Sequence, residues 1–296
     1  MNIDGVQIGA GHPPWVCGEI SGEHLGDKLT CVRLISALKD AGANAAKLQL
    51  FDVRRLADAR GGYGKVLTEG LWKGRTLGSL YAETHTPREW FPDLFTYAKS
   101  IGITLFSSVF DEEGVDYLET LGCPAYKISS FEFANERLRG LAGSTGKPVI
   151  LSTGMAHNEW PRAVGIPGAR YPGGLALLHC VSAYPCPMED ANLGRMSKMA
   201  DWVKREMWER SIVVGLSDHT LGTTAAIVAT ALGASIIEKH ITLDRNNGGP
   251  DAAFSLEPAE FAKLVQDVRD AHASLGAGER PQSESIYRDL RHKGSQ

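Results

Sequence analysis

Ionisable and hydroxyl side chains recur in this chain at or just after short apolar runs, where they could meet a substrate. Glu19 falls in WVCGEI, Lys47 and Gln49 in AAKLQL, and Ser107 and Ser108 close ITLFSS. Lys127, Ser130 and Glu132 lie in or after AYKIS, and Ser152 lies in PVILST. His179, Ser182 and Tyr184 lie at or beyond the end of LALLHC, Ser217, Asp218 and His219 at the end of IVVGLS, and Glu238, Lys239 and His240 within SIIEKHI. Two lysines and several hydroxyls can hold a phosphate and a carboxylate by charge-assisted hydrogen bonds. His219 and His240, from neighbouring runs, can share one divalent metal and leave positions open for water and substrate. Glu132 could orient that water or move a proton. Taken singly, each residue has a plainer reading. A lysine at a strand end can snorkel to solvent, and a lone histidine in an apolar run packs in a core more often than it ligates, which also suits His179. Glu238 and Lys239 alternate along their run, so one of them must face away from whatever the other faces.

The runs that carry these residues read as strands: 15–20, 45–50, 103–108, 125–129, 148–153, 175–180, 212–217 and 235–241. Between them lie stretches of 3.6-residue apolar period, such as 29–42 and 260–276, each closing on a glycine that suits a helix end. Strand and helix patterns in strict alternation predict βαβ units and a parallel sheet. Eight such units predict a closed (β/α)8 barrel, a TIM barrel of class α/β, as a single domain over residues 1–276 with a polar tail at 277–296. In that fold the strand ends converge on one mouth, so the polar residues above would share it. Two connections break the pattern. Residues 51–86 form a long segment of the kind that usually carries function. Residues 156–174 hold three prolines and four glycines, which predicts a fifth helix that is short or missing.

Composition narrows the partners. The formal charge of −4, without a long basic run, argues against nucleic acid, and no apolar stretch reaches the length of a membrane span. The N-terminus lacks the basic-then-apolar order of a signal peptide, so the expected location is cytoplasmic. The five cysteines form no C-x-x-C pair and suit core positions rather than a zinc cluster or disulfide framework.

The chain resembles the sialic acid (N-acetylneuraminate) synthase family, and within it the pseudaminic acid synthases. The resemblance rests on GEISGEHLG (18–26), GANAAKLQ (42–49), TPREW (86–90), FSSVFD (106–111), YKISSFE (126–132), GKPVILSTGMA (146–156), HCVSAYPCPMEDANL (179–193), VGLSDHTLG (214–222), GASIIEKHITLD (233–244) and GPDAAFSLEP (249–258). Phe131, the ISG at 20–22 and the stretches 70–90 and 250–258 lean towards the pseudaminic branch. The resemblance implies condensation of phosphoenolpyruvate with an N-acylated amino-sugar aldehyde, giving a 2-keto-3-deoxy sugar acid and phosphate. It implies a divalent metal, Mn2+ or Mg2+, on His219 and His240. It implies phosphoenolpyruvate held by Lys47, Lys127, Ser130, Ser152 and Ser217 with help from Ser108 and Ser182. The sugar would meet Glu19, Gln49, Tyr184 and Asp251, while Glu132 would sit near the metal-bound water, and catalysis would rest on Glu132, Lys127 and Glu19. A homodimer is the implied assembly. The sequence departs from the family at Glu23, where asparagine usually precedes the histidine (here His24), placing a negative charge at the expected mouth. Ser182 replaces the asparagine of the N-acetylneuraminate synthases. The family's C-terminal antifreeze-like domain, which lids a partner's site, is not expected here. The 51–86 segment, through Tyr63, Trp72, Arg75 and Tyr81, is expected to cover the rim instead.

Two other readings use the same residues. A Schiff-base aldolase or lyase would employ Lys127 or Lys239 as the nucleophile. A non-catalytic sugar-phosphate-binding barrel would keep the pocket without the chemistry.

Overall fold

A computed structural model describes residues 1–156, 160–161, 171–206, 211–276 and 283. Eight parallel strands close into a barrel: β3 (Trp15–Glu19), β4 (Ala45–Leu50), β5 (Thr104–Val109), β6 (Tyr126–Ile128), β7 (Val149–Ser152), β8 (Leu175–Cys180), β9 (Ile212–Asp218) and β10 (Ile236–His240), with β10 pairing β3. The eight expected runs are these eight strands, with no end displaced by more than one residue. Outside them stand α1 (Lys28–Asp40), α4 (Phe91–Ile101), α5 (Glu112–Thr120), α6 (Glu136–Ser144), α7 (Gly194–Glu206), α8 (Thr224–Ala231) and α9 (Pro258–Leu275). The expectation of a short or missing fifth helix, and that of a polar tail at 277–296, fall almost wholly outside the described residues.

Strand alternation decides which side chains enter the barrel. Register aligns Gln49 with Ser108, Ser108 with Lys127, Cys180 with Ser217, Ser217 with Glu238, and His240 with Glu19 around the ring. The intervening residues face the helices. Gly18 is one of these: a Cβ there would collide with the Leu38 side chain, so its lack of a side chain lets α1 lie against the sheet. The buried apolar core runs from Trp15, Phe106 and Ile150 inside the barrel to Leu34, Leu38, Phe91, Leu118 and Phe261 beneath the helices.

Two features were not expected from the strand count. A two-residue hairpin, β1 (Asn2–Ile3) with β2 (Val6–Gln7), turns through Asp4 and Gly5, both at positive φ. Its signal was an Asp-Gly pair between apolar residues. Ile3 and Ile8 are buried, Asp4 accepts from Thr104 Oγ1 at 3.0 Å, and Met1 packs near Gly174. Thr104 opens β5 and Gly174 precedes β8, so the hairpin seals the end of the barrel opposite the mouth. The 51–86 segment is also more regular than a loop. It holds α2 (Val53–Ala59), capped by Asp52, and α3 (Leu77–Thr84), capped by Thr76, joined by a turn that pairs Val66 with Thr76.

Candidate active site

The strand ends open into a cavity of about 500 Å³ lined by Glu19, Lys47, Gln49, Ser108, Lys127, Ser130, Ser152, Tyr184, Ser217, His219, His240 and Asp251. The expected binding residues therefore meet in one place, with Glu132 and Ser182 standing outside the lining. Ser182 is close by: a Cβ on Gly154 would lie 2.6 Å from the Oγ of both Ser182 and Ser130. Gly154 N donates to Ser130 Oγ at 3.1 Å. Only glycine admits two serines this near its backbone, a role that the STG tripeptide closing β7 did not reveal.

Both lysines are buried and charged groups surround them. Lys47 Nζ lies 2.6 Å from Glu19 Oε2, 3.1 Å from Glu238 Oε2 and 3.3 Å from Ser108 Oγ. Lys127 Nζ donates to Ser152 Oγ at 2.7 Å and lies 3.7 Å from Glu238 Oε1, which also accepts from Ser217 Oγ at 3.0 Å. Burial would lower the Lys47 ammonium, but Glu19 and Glu238 outweigh it and hold it above its ordinary range. For Lys127 burial prevails and the ammonium is lowered, with Lys47 adding repulsion and Glu238 resisting. Burial would raise Glu238, yet Lys127 and Lys47 pull its carboxyl down to about 2. Burial pushes the Glu19 carboxyl up, and Lys47 opposes it. Glu238, named in its run but given no role, is thus the counter-charge of the whole cradle. The sequence showed its inward phase, which alternation shares with His240.

The imidazoles sit across the mouth, His219 after β9 and His240 at the end of β10, with ring centroids 5.6 Å apart. His219 Nδ1 bonds to Val181 O at 2.8 Å, which turns its other ring nitrogen away from that carbonyl. Burial, His219 and Lys47 together press His240 well below its usual pKa, so its ring is neutral near pH 7. His240 Nδ1 is buried without a hydrogen-bond partner, 3.6 Å from Asp251 Oδ2. Burial raises the Asp251 carboxyl to about 7. An orphaned, neutral, buried imidazole nitrogen facing a second imidazole and a carboxylate fits a divalent cation whose remaining positions are filled by water or substrate. Among the described residues no three His, Cys, Asp or Glu side chains come together to hold a metal ion, so a cation there would rest on the two imidazoles.

Several rim residues face elsewhere. Ser107 bonds Leu48 O on the outer surface of β5. Lys239 points out of the barrel, fully buried, to Asp218 Oδ2 at 2.8 Å and to Thr220 O. That pair lies beneath the helix layer, so Lys239 is not placed to attack a substrate in this cavity and Asp218 does not reach it. His179 Nε2 bonds Ala191 O at 2.7 Å, which is the packing role. Glu23 does not charge the mouth: it is fully buried, accepts from Asp251 N at 2.9 Å, and burial pushes its carboxyl up. It fixes the 249–251 turn that carries Asp251. Cys180, in contrast, lines the cavity, with Sγ 3.9 Å from His219 Nδ1. Although burial opposes it, His219 holds that thiol down to about 7.

Above the cradle the 53–84 segment forms a roof, contributing Arg60, Lys65, Leu67, Trp72, Leu77, Leu80, Tyr81 and Thr84 to the lining. Trp72 Nε1 donates to Pro250 O at 2.8 Å and its ring lies 5.3 Å from Tyr184. Of the four residues expected as contacts, Trp72 and Tyr81 reach the cavity. Tyr63 instead packs on Gly78, and Arg75 pairs with Glu83. Arg60 and Lys65 were missed, since nothing in the sequence separates them from other surface cations.

A closed parallel barrel with an anion cradle and an imidazole pair at its C-terminal mouth belongs to the (β/α)8 class whose sites are built from strand ends. Residues 34–280 match the NeuB family model, and the chain belongs to the NeuB family. It is 36% identical over 268 residues to the pseudaminic acid synthase of Helicobacter pylori, covering 90% of this chain and 77% of that one. It is 34% identical over 276 residues to the N,N'-diacetyllegionaminic acid synthase of Legionella pneumophila, covering 92% of this chain and 76% of that one. The crystal structure of the N-acetylneuraminic acid (sialic acid) synthetase of Leptospira borgpetersenii, in complex with citrate, superposes with a TM-score of 0.85 at 31% identity, over 98% of this chain and 95% of that one.

Proposed function

We propose that this protein condenses phosphoenolpyruvate with an N-acylated amino-sugar aldehyde, giving a 2-keto-3-deoxy sugar acid of the pseudaminic or sialic type and inorganic phosphate. The observation that carries the reading is the buried cradle of Lys47, Lys127, Ser108, Ser130, Ser152 and Ser217 next to His219 and His240 in one cavity. Hydroxyls alone cannot balance the negative charge of a phosphate and a carboxylate, and Lys47 and Lys127 are the cationic groups that would meet it, giving up part of their contact with Glu19 and Glu238. C3 of phosphoenolpyruvate forms the new bond to the aldehyde carbon, water adds at C2, and the C2–O bond to phosphate breaks. Glu19, Gln49, Tyr184 and Asp251 would position the sugar, and Lys127 and Glu19 would handle charge at the reacting carbons. Glu132, turned away toward Arg60, would act on them only at one remove. Mn2+ or Mg2+ held by His219 and His240 would supply a Lewis acid for the aldehyde oxygen. Residues 1–276 would form the synthase domain, acting in the cytoplasm as a homodimer. Among the described residues no helix is long and apolar enough to cross a membrane.

The test is phosphate release from phosphoenolpyruvate in the presence of Mn2+ and a panel of N-acylated amino sugars, with mass spectrometry of the product. His219→Ala and His240→Ala should each reduce turnover at least a hundredfold and weaken metal binding measured directly by calorimetry. Near-normal turnover of either variant in metal-limited buffer sinks the metal assignment. The lowered Lys127 amine favours one second reading, a Schiff base on that residue. Borohydride trapping with pyruvate separates the two, since the condensation leaves no covalent adduct.

A further inference from the structure

The roof of the cavity carries a cation that the anion cradle does not use. Arg60 follows α2, 72 residues before Glu132 in sequence, and its guanidinium ion-pairs with that carboxylate. Nη1 donates to Tyr81 Oη at 3.0 Å, and the guanidinium lies 4.5 Å from the Phe131 ring centroid and 5.8 Å from that of Phe110. Glu132 is itself fixed by a hydrogen bond from Ser129 Oγ. Arginine has five N–H donors in a rigid fork, so Tyr81 and Glu132 leave donors to spare on a side chain that lines the cavity. Apart from Lys65, whose ammonium donates to Arg60 O at 3.0 Å, the roof around it is mostly apolar. Leu77, Leu80, Tyr81 and Thr84 occupy one face of α3 at helical spacing, and Leu67 and Trp72 extend that wall.

One fixed donor set against an aliphatic and aromatic wall suits a group that is part carbonyl and part alkyl. We propose that Arg60 is a specificity-determining residue for the sugar: its guanidinium donates to the carbonyl oxygen of the N-acyl substituent, whose alkyl end packs on Leu67, Leu77 and Leu80. This rests on the function proposed above. Glu132 and Tyr81 are then positioning residues that hold the guanidinium over the Phe131 ring, so that little side-chain freedom is lost when the acyl group arrives. The cradle residues lie on β4 to β9, and the acyl contact lies on the roof, so the two halves of the reaction are read by separate parts of the chain.

The experiment is steady-state kinetics of Arg60→Met, Arg60→Lys and Tyr81→Phe, varying sugar and phosphoenolpyruvate separately. Each protein is assayed with the N-acylated sugar and with the same sugar carrying hydroxyl in place of the acylamido group. Loss of a charged donor to a carbonyl corresponds to about 10- to 100-fold, so Arg60→Met should raise KM for the acylated sugar by that factor. KM for phosphoenolpyruvate should stay within about twofold, a window well below one decade of affinity. Arg60→Lys should fall between wild type and Arg60→Met, and Tyr81→Phe should show a smaller rise of the same kind. With the hydroxyl sugar the gap between wild type and Arg60→Met should close. Equal KM values for the acylated sugar, a parallel rise for phosphoenolpyruvate, or a gap that persists with the hydroxyl sugar each overturn the assignment. If Arg60→Met misfolds by circular dichroism, Arg60→Lys and Tyr81→Phe decide by the same criteria. A wild-type protein that releases no phosphate with any sugar overturns the parent function and this proposal with it. A sugar-selective defect without the acyl dependence overturns the proposal alone.

Discussion

Glu238 is a carboxylate at the centre of the site proposed for phosphoenolpyruvate, and its place follows from what two buried lysines require. Ammonium groups taken out of water need partners, and in the absence of a ligand the protein itself must supply them. Glu238 meets Lys47 and Lys127 at once and Glu19 completes the balance, leaving the four groups neutral together. Lys127 is the more exposed to loss of its proton, because burial and Lys47 both lower it and Glu238 is the first group resisting them. Removing that carboxylate lets the amine deprotonate at lower pH. Glu238→Gln should therefore shift the alkaline limb of the phosphate-release profile downward by about one unit or more, the scale of a close buried charge. An alkaline limb that stays in place would show that Lys127 does not depend on Glu238 for its proton. Residue types and strand phase made the cradle lysines and serines legible in the sequence. The balance among them was not legible, because counter-charge is a property of the closed ring: Lys47 and Glu238 are far apart in the chain and meet only when β10 pairs β3. The same holds for Glu132, which the sequence places beside Ser130 and which Arg60 draws toward the roof.

Elements were legible in proportion to their periodicity. Eight strands and the helical stretches 29–42 and 260–276 announced themselves by apolar phase, and their ends fell within two residues of the observed ones. The 51–86 segment did not, because α2 and α3 are short and each buries only a few residues on one face. What orders it is contact with the barrel rather than intrinsic propensity. It is fastened on two sides of the mouth: Arg60 to Glu132 and Phe131 after β6, and Trp72 to Pro250 and Tyr184 beyond β10 and β8. Deleting residues 60–76 would also remove the hydrogen bond from Leu77 N to Lys65 O and strip support from α3, so a point change is the cleaner probe. Trp72→Ala loses the indole donor and the contact with Tyr184 while leaving both short helices in place. We expect KM for the sugar to rise by about tenfold, corresponding to roughly 1.4 kcal/mol, with KM for phosphoenolpyruvate nearly unchanged. If both constants rise together, the roof serves general closure and not sugar choice.

At the scale of the molecule, the barrel's two ends divide the work: the N-terminal hairpin closes one, and the chemistry gathers at the other, as parallel strands with short returns dictate. Stability and site are joined just behind the mouth, in the β3–α1 connection, where His24 is fully buried. Its ring meets Trp90 edge-on with centroids 5.4 Å apart, Nδ1 accepts from Gly26 N at 3.0 Å, and Nε2 has no partner. Burial lowers its pKa to about 4 from an ordinary 6.5. Between those values the unfolded chain binds a proton that the folded one refuses, so stability is lost as pH falls from 6.5 toward 4 and is fully present above that window. From pH 7 to pH 5 this histidine should cost on the order of 2 kcal/mol of folding free energy. His24→Gln keeps an acceptor for Gly26 and removes the titration. Urea unfolding at the two pH values should show the wild type losing about 2 kcal/mol more than the variant, a difference on the scale of one strongly shifted histidine. Identical losses in the two proteins would mean that His24 takes up its proton without unfolding cost, and that the connection behind the mouth is more open than the structure has it.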